Sequence, residues 1–144
     1  LWIGSNDLFY LYEYGDPDPA AEQADLDHYA ANLDTILSAL TGAGARVVVA
    51  QLDDQSLRPV TQAGAAFPGT MKAEVLLMSE QVRRYNKIVA EKASQYGVFV
   101  VDFYNTTVFT DPATLDYDGN HPNAAGYDVI VSRWFAVIEP LLGE

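Results

Sequence analysis

Arg46-Val47-Val48-Val49-Ala50 is the stretch on which the fold turns. Its three consecutive β-branched residues favour extended backbone, and a run apolar on both faces suits a strand inside a parallel sheet that is covered on both sides. Upstream, Leu26, Tyr29, Leu33, Ile36, Leu37 and Leu40 share one helical face, which predicts a helix from Glu22 to about Leu40 that Thr41-Gly42-Ala43-Gly44 ends. Before that helix, Asp16-Pro17-Asp18-Pro19 reads as a stiff acidic connection. Leu1-Trp2-Ile3, closed by the turn-forming Gly4-Ser5-Asn6-Asp7, reads as a first short strand. Downstream, Gln51 to about Lys72 carries Pro59, Gly64, Pro68 and Gly69 without clear periodicity and reads as a long loop. A helix from about Ala73 to Tyr96 follows, with Val75, Leu76, Met78, Val82, Tyr85, Ile88, Val89 and Ala93 as its stripe and Gly97 as its end. Val98 to Phe103 is the third strand, Tyr104 to Asn120 a second loop, and about Asn123 to Leu142 the last helix.

Strand, helix, strand, helix, strand, helix is the alternation that builds a parallel α/β sheet, here in a single domain spanning residues 1–144. Right-handed crossovers that step in one direction put both connecting helices on the same face and leave the last helix for the other. Three strands apolar on both faces are not sealed by that inventory. About two further strands and a helix are expected elsewhere, at roughly 30 residues per strand-helix unit. The chain also opens directly in an apolar run, without an initiator Met or a signal-peptide pattern, and is expected to be cut from something longer.

Composition narrows the class. The 144 residues are 49% hydrophobic and 19% charged, the profile of a globular domain and not of a disordered chain. Eight Lys plus Arg against 20 Asp plus Glu give a net charge of −12, which repels nucleic-acid backbones and anionic headgroups. Without cysteine there is no disulfide, thiolate nucleophile or Cys-ligated zinc. No apolar run approaches the roughly 18 residues of a membrane span.

Two clusters carry chemistry. Gly4-Ser5-Asn6-Asp7 follows the first strand, and Asp118-Gly119-Asn120-His121-Pro122-Asn123 lies between the last strand and the last helix. Both fall at the carboxyl ends of strands, the edge where ligands bind in open α/β sheets. A carboxylate three residues before an imidazole, across a Gly-containing turn, can orient the ring and fix its tautomer. Asp118 and His121 therefore have the pattern of an orienter and a general base, and an Asn at a strand end, Asn6, can aim its amide at a developing oxyanion. The plainer readings are that Asp118 to Asn123 is a polar turn with Asn123 capping the last helix, and that Asn6 only closes an Asx-turn. The two clusters at one sheet edge favour the catalytic reading.

On these residues the sequence resembles the SGNH or GDSL hydrolases, serine esterases and lipases on a flavodoxin-like three-layer sheet. Gly4-Ser5-Asn6-Asp7 is similar to that family's third block, Gly-x-Asn-Asp, and the resemblance implies that Gly4 and Asn6 frame the oxyanion hole. Asp118 to Tyr127 is similar to the fifth block, Asp-x-x-His-Pro, which implies that Asp118 and His121 are two members of a catalytic triad. The Gly-Asp-Ser block with the nucleophile precedes these in the family. None of Ser5, Ser38, Ser56, Ser79, Ser94 and Ser132 lies in such a context, and Ser5 falls at the variable position of the third block. The chain thus resembles the carboxyl-terminal part of such an enzyme, with its strands as the family's third, fourth and fifth.

The resemblance implies hydrolysis of a small-molecule ester, an acyl ester or an acetylated carbohydrate, through an acyl-enzyme, with no metal or organic cofactor. The sequence does not fix localisation; the family's habits and the lack of cysteine suggest a secreted or extracytoplasmic place. Phe9-Tyr10-Leu11-Tyr12-Glu13-Tyr14 offers aromatics that suit an acyl or sugar pocket, with interface packing as the equal alternative. His28 and the Asp16 to Asp18 patch read as solvated groups and not metal ligands. A competing reading of the whole chain is an inactive binding or assembly module. The exposed sheet edge and face predict association, either as a homo-oligomer or with a missing amino-terminal segment.

Overall fold

A computed structural model describes residues 1–64 and 70–143. Its elements are α1 (Ser5–Glu13), α2 (Pro19–Gly42), β1 (Val48–Ala50), α3 (Pro59–Ala63), α4 (Lys72–Tyr96), β2 (Phe99–Val101) and α5 (Ala124–Leu142). β1 and β2 pair in parallel, Val49 opposite Val100. Leu1 to Ile3 does not reach the length of a strand, yet it extends the sheet. The Leu1 amino group donates to the Val48 carbonyl (2.6 Å), and the Ala50 N–H donates to the Leu1 carbonyl (2.9 Å). These two bonds flank Val49 in the pattern of a parallel ladder.

Side-chain alternation along the sheet separates two cores. Val47 and Val49 point toward α2 and α4, where Leu33, Leu37, Met78, Val82, Tyr85 and Val89 are fully buried. Each such aliphatic side chain contributes about 1.5–3 kcal/mol of transfer free energy. Ala50, Val101 and Phe103 point to the opposite side, packing with Phe109 and Ile130 of α5, and Trp2 stacks on Phe103 at 4.4 Å. Both connecting helices therefore share one face and α5 takes the other, as right-handed crossovers require.

Several local expectations shift. The sequence Gly4-Ser5-Asn6-Asp7 is not a turn after the strand but the start of α1, with Gly4 as its N-cap. The segment expected as a loop from Gln51 to Lys72 contains a 3₁₀ turn, Gln55–Leu57, capped by the Asp54 side chain accepting from Ser56 N–H, and α3, which has Pro59 as its first residue; residues 65–69 of that loop lie outside the described residues. Pro19 sits at the first position of α2, where Asp18 caps by accepting from the N–H groups of Ala20 and Ala21. Asn123 caps α5 by accepting from Gly126 N–H (3.1 Å), the local role that the plainer reading of its cluster gave it.

The apolar surface on the α5 side is incompletely covered. Tyr127, Val131, Phe135 and Leu142 recur at helical spacing and are all exposed, as is Phe99 on β2. Among the described residues, no helix is long and apolar enough to cross a membrane.

Candidate active site

Gly4 decides how α1 leaves the sheet. Its φ of 110° belongs to the region glycine adopts without strain, and a Cβ there would approach Tyr29 Cε2 to 2.8 Å and Tyr85 Cε1 to 3.2 Å. These two rings stack at 4.1 Å beneath the turn. Gly4 is thus buried under the site and lets the chain reverse tightly, so that Ser5 and Asn6 occupy the first turn of α1. Early N–H groups of a helix have no intrahelical acceptor and sit at the positive end of its dipole, an arrangement suited to negative charge. Asn6 is exposed, and among the described residues its side-chain amide has no hydrogen-bond partner.

The second cluster forms a turn whose base is the antiparallel bridge between Leu115 and Pro122, with Asp116 N–H donating to the His121 carbonyl at 2.8 Å. At its tip Asp118 organises everything around it. Asp118 Oδ1 accepts from the backbone N–H groups of Asn120 and His121, both at 2.9 Å, and Oδ2 lies 2.6 Å from His121 Nδ1. The bond from the His121 ring, then the two backbone N–H groups, hold the Asp118 carboxyl down at about 2. A carboxylate acceptor on Nδ1 places the proton there and leaves Nε2 as the basic nitrogen.

The turn should therefore be indifferent to mild acid. Because the folded-state value lies below the ordinary 3.8, the stabilisation from Asp118 is fully present above 3.8 and is lost as the pH falls through about 2. A carbon-13 NMR titration of the Asp118 carboxyl should give a midpoint near 2, moving up toward 3.8 in His121→Ala. A wild-type midpoint at 3.8 would contradict the hydrogen-bonded geometry.

The two clusters meet. Asn6 and His121 line the same crevice of ≈420 Å³, with Ser5, Phe9 and Tyr10 on the α1 side and Arg58 and Asn120 across from them. Gly4 lies beneath this crevice and Asp118 behind His121, so neither lines it. The aromatic run is divided by the helix: Tyr12 is buried and donates to Glu22 (2.6 Å), while Tyr10 and Tyr14 are exposed at the crevice. Among the described residues no hydrogen bond joins Ser5 to His121.

Arg58 and Asp53 escape the sequence pattern, and Asn120 lies within the second cluster without a role assigned to it. Asp53 and Arg58 are both buried and form a bidentate ion pair, Nε to Oδ2 at 2.7 Å and Nη2 to Oδ1 at 2.8 Å. Arg58 Nη1 donates to Asn120 Oδ1 at 2.7 Å. The available signal was Asp53-Asp54 shortly after β1, with only Gln51 and Leu52 between, at the carboxyl edge of the sheet, with an Arg five residues after Asp53.

Comparison with known proteins agrees with this architecture. A family model described as the GDSL-like Lipase/Acylhydrolase family matches residues 1–129. No curated protein is matched. Among solved structures the chain is similar to the crystal structure of LAE5, an alpha/beta hydrolase enzyme from the metagenome of Lake Arreo, Spain, with a TM-score of 0.59 and 21% identity. That likeness covers 94% of this chain and 56% of LAE5, so the chain spans little more than half the length of its structural neighbour.

Proposed function

The chain belongs to the GDSL-like lipase/acylhydrolase family, and from that premise we propose that it is the carboxyl-terminal part of a serine esterase, carrying His121 as general base, Asp118 as its orienter, and Asn6 with the Gly4 turn as part of the oxyanion hole. The observation that carries this reading is the His121–Asp118 pair at 2.6 Å on the same crevice as the unpartnered Asn6 amide. A serine from another segment of the protein attacks the ester carbonyl carbon as Nε2 of His121 takes its proton. The carbonyl π electrons move to oxygen, where the Asn6 amide and the amino-terminal N–H groups of α1 meet the charge. Collapse expels the alcohol, which leaves with the proton from His121, and the acyl group stays on the serine. Water then attacks the acyl-enzyme with His121 again as base, releasing the acid and restoring the serine.

The substrate is a small-molecule ester, an acyl ester or an acetylated carbohydrate, and the exposed Tyr10 and Tyr14 at the crevice support an apolar or sugar-faced group. The test is an assay of activated short-chain esters with the full-length protein beside this chain alone. Hydrolysis by the first, and none by the second above a His121→Ala control, is expected. Labelling of Ser5 by a serine-directed inhibitor, with burst kinetics, would overturn the borrowed-serine assignment.

The same reading extends to assembly. The exposed Tyr127, Val131, Phe135 and Leu142 of α5 support association of this chain, with the amino-terminal segment or with a second copy. Light scattering at micromolar concentration should report more than a monomer when the chain is alone; a stable folded monomer would contradict it.

A further inference from the structure

The candidate base sits in an exposed place. His121 is 72% exposed at its side chain and Asp118 36%, so water competes for their hydrogen bond, and the bonds within the turn are all short in sequence. The base of the turn is fixed by the Leu115–Pro122 bridge, but the catalytic pair lies at its tip. Among the described residues, two long-range hydrogen bonds reach that tip. Val60 N–H donates to the Gly119 carbonyl at 3.2 Å, and Arg58 Nη1 donates to Asn120 Oδ1 at 2.7 Å. Gly119 lies so close to this neighbour that a Cβ would meet Pro59 at 3.1 Å.

The guanidinium that makes the second bond cannot wander. Asp53, 3% exposed, grips it through both carboxylate oxygens, and the Phe109 ring lies 4.7 Å from its Cζ. Asp53 in turn follows Leu52, whose backbone N–H and carbonyl are both bound by the Asn86 side chain at 2.7 and 2.8 Å. A continuous set of bonds therefore runs from α4 through Leu52, Asp53 and Arg58 to Asn120, the residue immediately before His121. Burial holds the links up to Arg58, bidentate geometry fixes the Asp53–Arg58 link, and the last link carries that order to the residue next to His121.

We propose that Arg58, gripped by Asp53, is a positioning residue that locks the Asp118–His121 turn through Asn120. The proposal rests on His121 being the general base, and its test reads His121 directly, without needing ester hydrolysis. Long-range proton-nitrogen NMR correlations on the His121 ring of the full-length protein should show a single tautomer with the proton on Nδ1. In Asn120→Ala the other tautomer should become populated, with urea denaturation unchanged, and in Asn120→Asp, which keeps an acceptor for Arg58, the single tautomer should return. Ester hydrolysis by Asn120→Ala should fall about 10- to 100-fold in kcat with KM nearly unchanged, since misplacing a base costs turnover and not binding. Should Asn120→Ala fail to fold, the double variant Asp53→Leu with Arg58→Met removes the brace from its buried side and should mix the tautomers likewise. An unaltered tautomer in whichever variant folds would overturn the proposal, including the case where only stability changes. A single tautomer in the wild type that mixes in Asn120→Ala, in a protein that hydrolyses no ester, would uphold the brace and defeat the esterase reading instead.

Discussion

His121→Ala in the full-length protein should reduce kcat for ester hydrolysis roughly 10⁶-fold, and Asp118→Ala about 10⁴-fold, if the pair works as base and orienter. The asymmetry follows from what each group does in the proposed mechanism. His121 accepts the serine proton and returns it to the leaving alcohol, so its loss removes proton transfer altogether. Asp118 forms no bond to substrate; it fixes the ring through the 2.6 Å contact at Nδ1 and stabilises the imidazolium. Its backbone bonds to Asn120 and His121 also shape the turn, so part of its effect is geometric. Steady-state kinetics on a soluble chromogenic ester measure both variants. Equal rates for His121→Ala and wild type would remove His121 from the mechanism, and a larger loss at Asp118 than at His121 would reverse the roles.

The second large effect is on stability. Arg58→Met leaves the Asp53 carboxylate buried without a counter-ion, and such a break costs on the order of 3–5 kcal/mol. Asp53 has nowhere to turn: it is 3% exposed, and both oxygens are committed to Arg58. Replacing the two together, Asp53→Leu with Arg58→Met, removes both charges and should recover stability to within about 1 kcal/mol of wild type, because apolar groups of similar volume often substitute for a buried ion pair without loss. Urea denaturation of the three proteins separates these outcomes. A double variant as unstable as Arg58→Met would mean that the pair is required for packing and not merely for mutual neutralisation. The comparison also isolates function from folding, since a stable double variant lacks the brace to Asn120 but keeps every residue of the Asp118–His121 turn.

Local pattern accounts for much of what was legible. The helix from Ala73 to Tyr96 was readable within one residue because its apolar stripe has helical period and Gly97 follows it; the observed element is Lys72–Tyr96. The cap at Asn123 was readable because the capping bond to Gly126 spans only three residues. Leu1 to Ile3 was readable as extended, but its two bonds to Val48 and Ala50 are too few to make it a strand of the assigned length. The turn chemistry of Gly4 to Asp7 pointed to a loop, whereas α1 begins there, because Leu8 and Tyr12 bury themselves against α2 and α4 and carry the preceding residues into helix. That choice belongs to tertiary packing, which overrides local preference.

By itself, the sequence determined the α/β alternation, the faces of the long helices apart from Leu40 and Leu76, which are exposed, and the placement of the Asn6 and Asp118–His121 clusters at one edge of the sheet. These depend on periodicity and on strand-helix order, both of which are properties of neighbouring residues. Only the tertiary structure decided that Tyr12 is core while Tyr10 and Tyr14 face the crevice, that Gly4 is pressed against Tyr29 and Tyr85, and that Arg58 joins Asp53 to Asn120. The reason is distance along the chain. Arg58 and Asn120 are 62 positions apart, and the identity of a side chain's partner across such a span is set by how strands are ordered and helices are seated, which leaves no periodic trace in either segment.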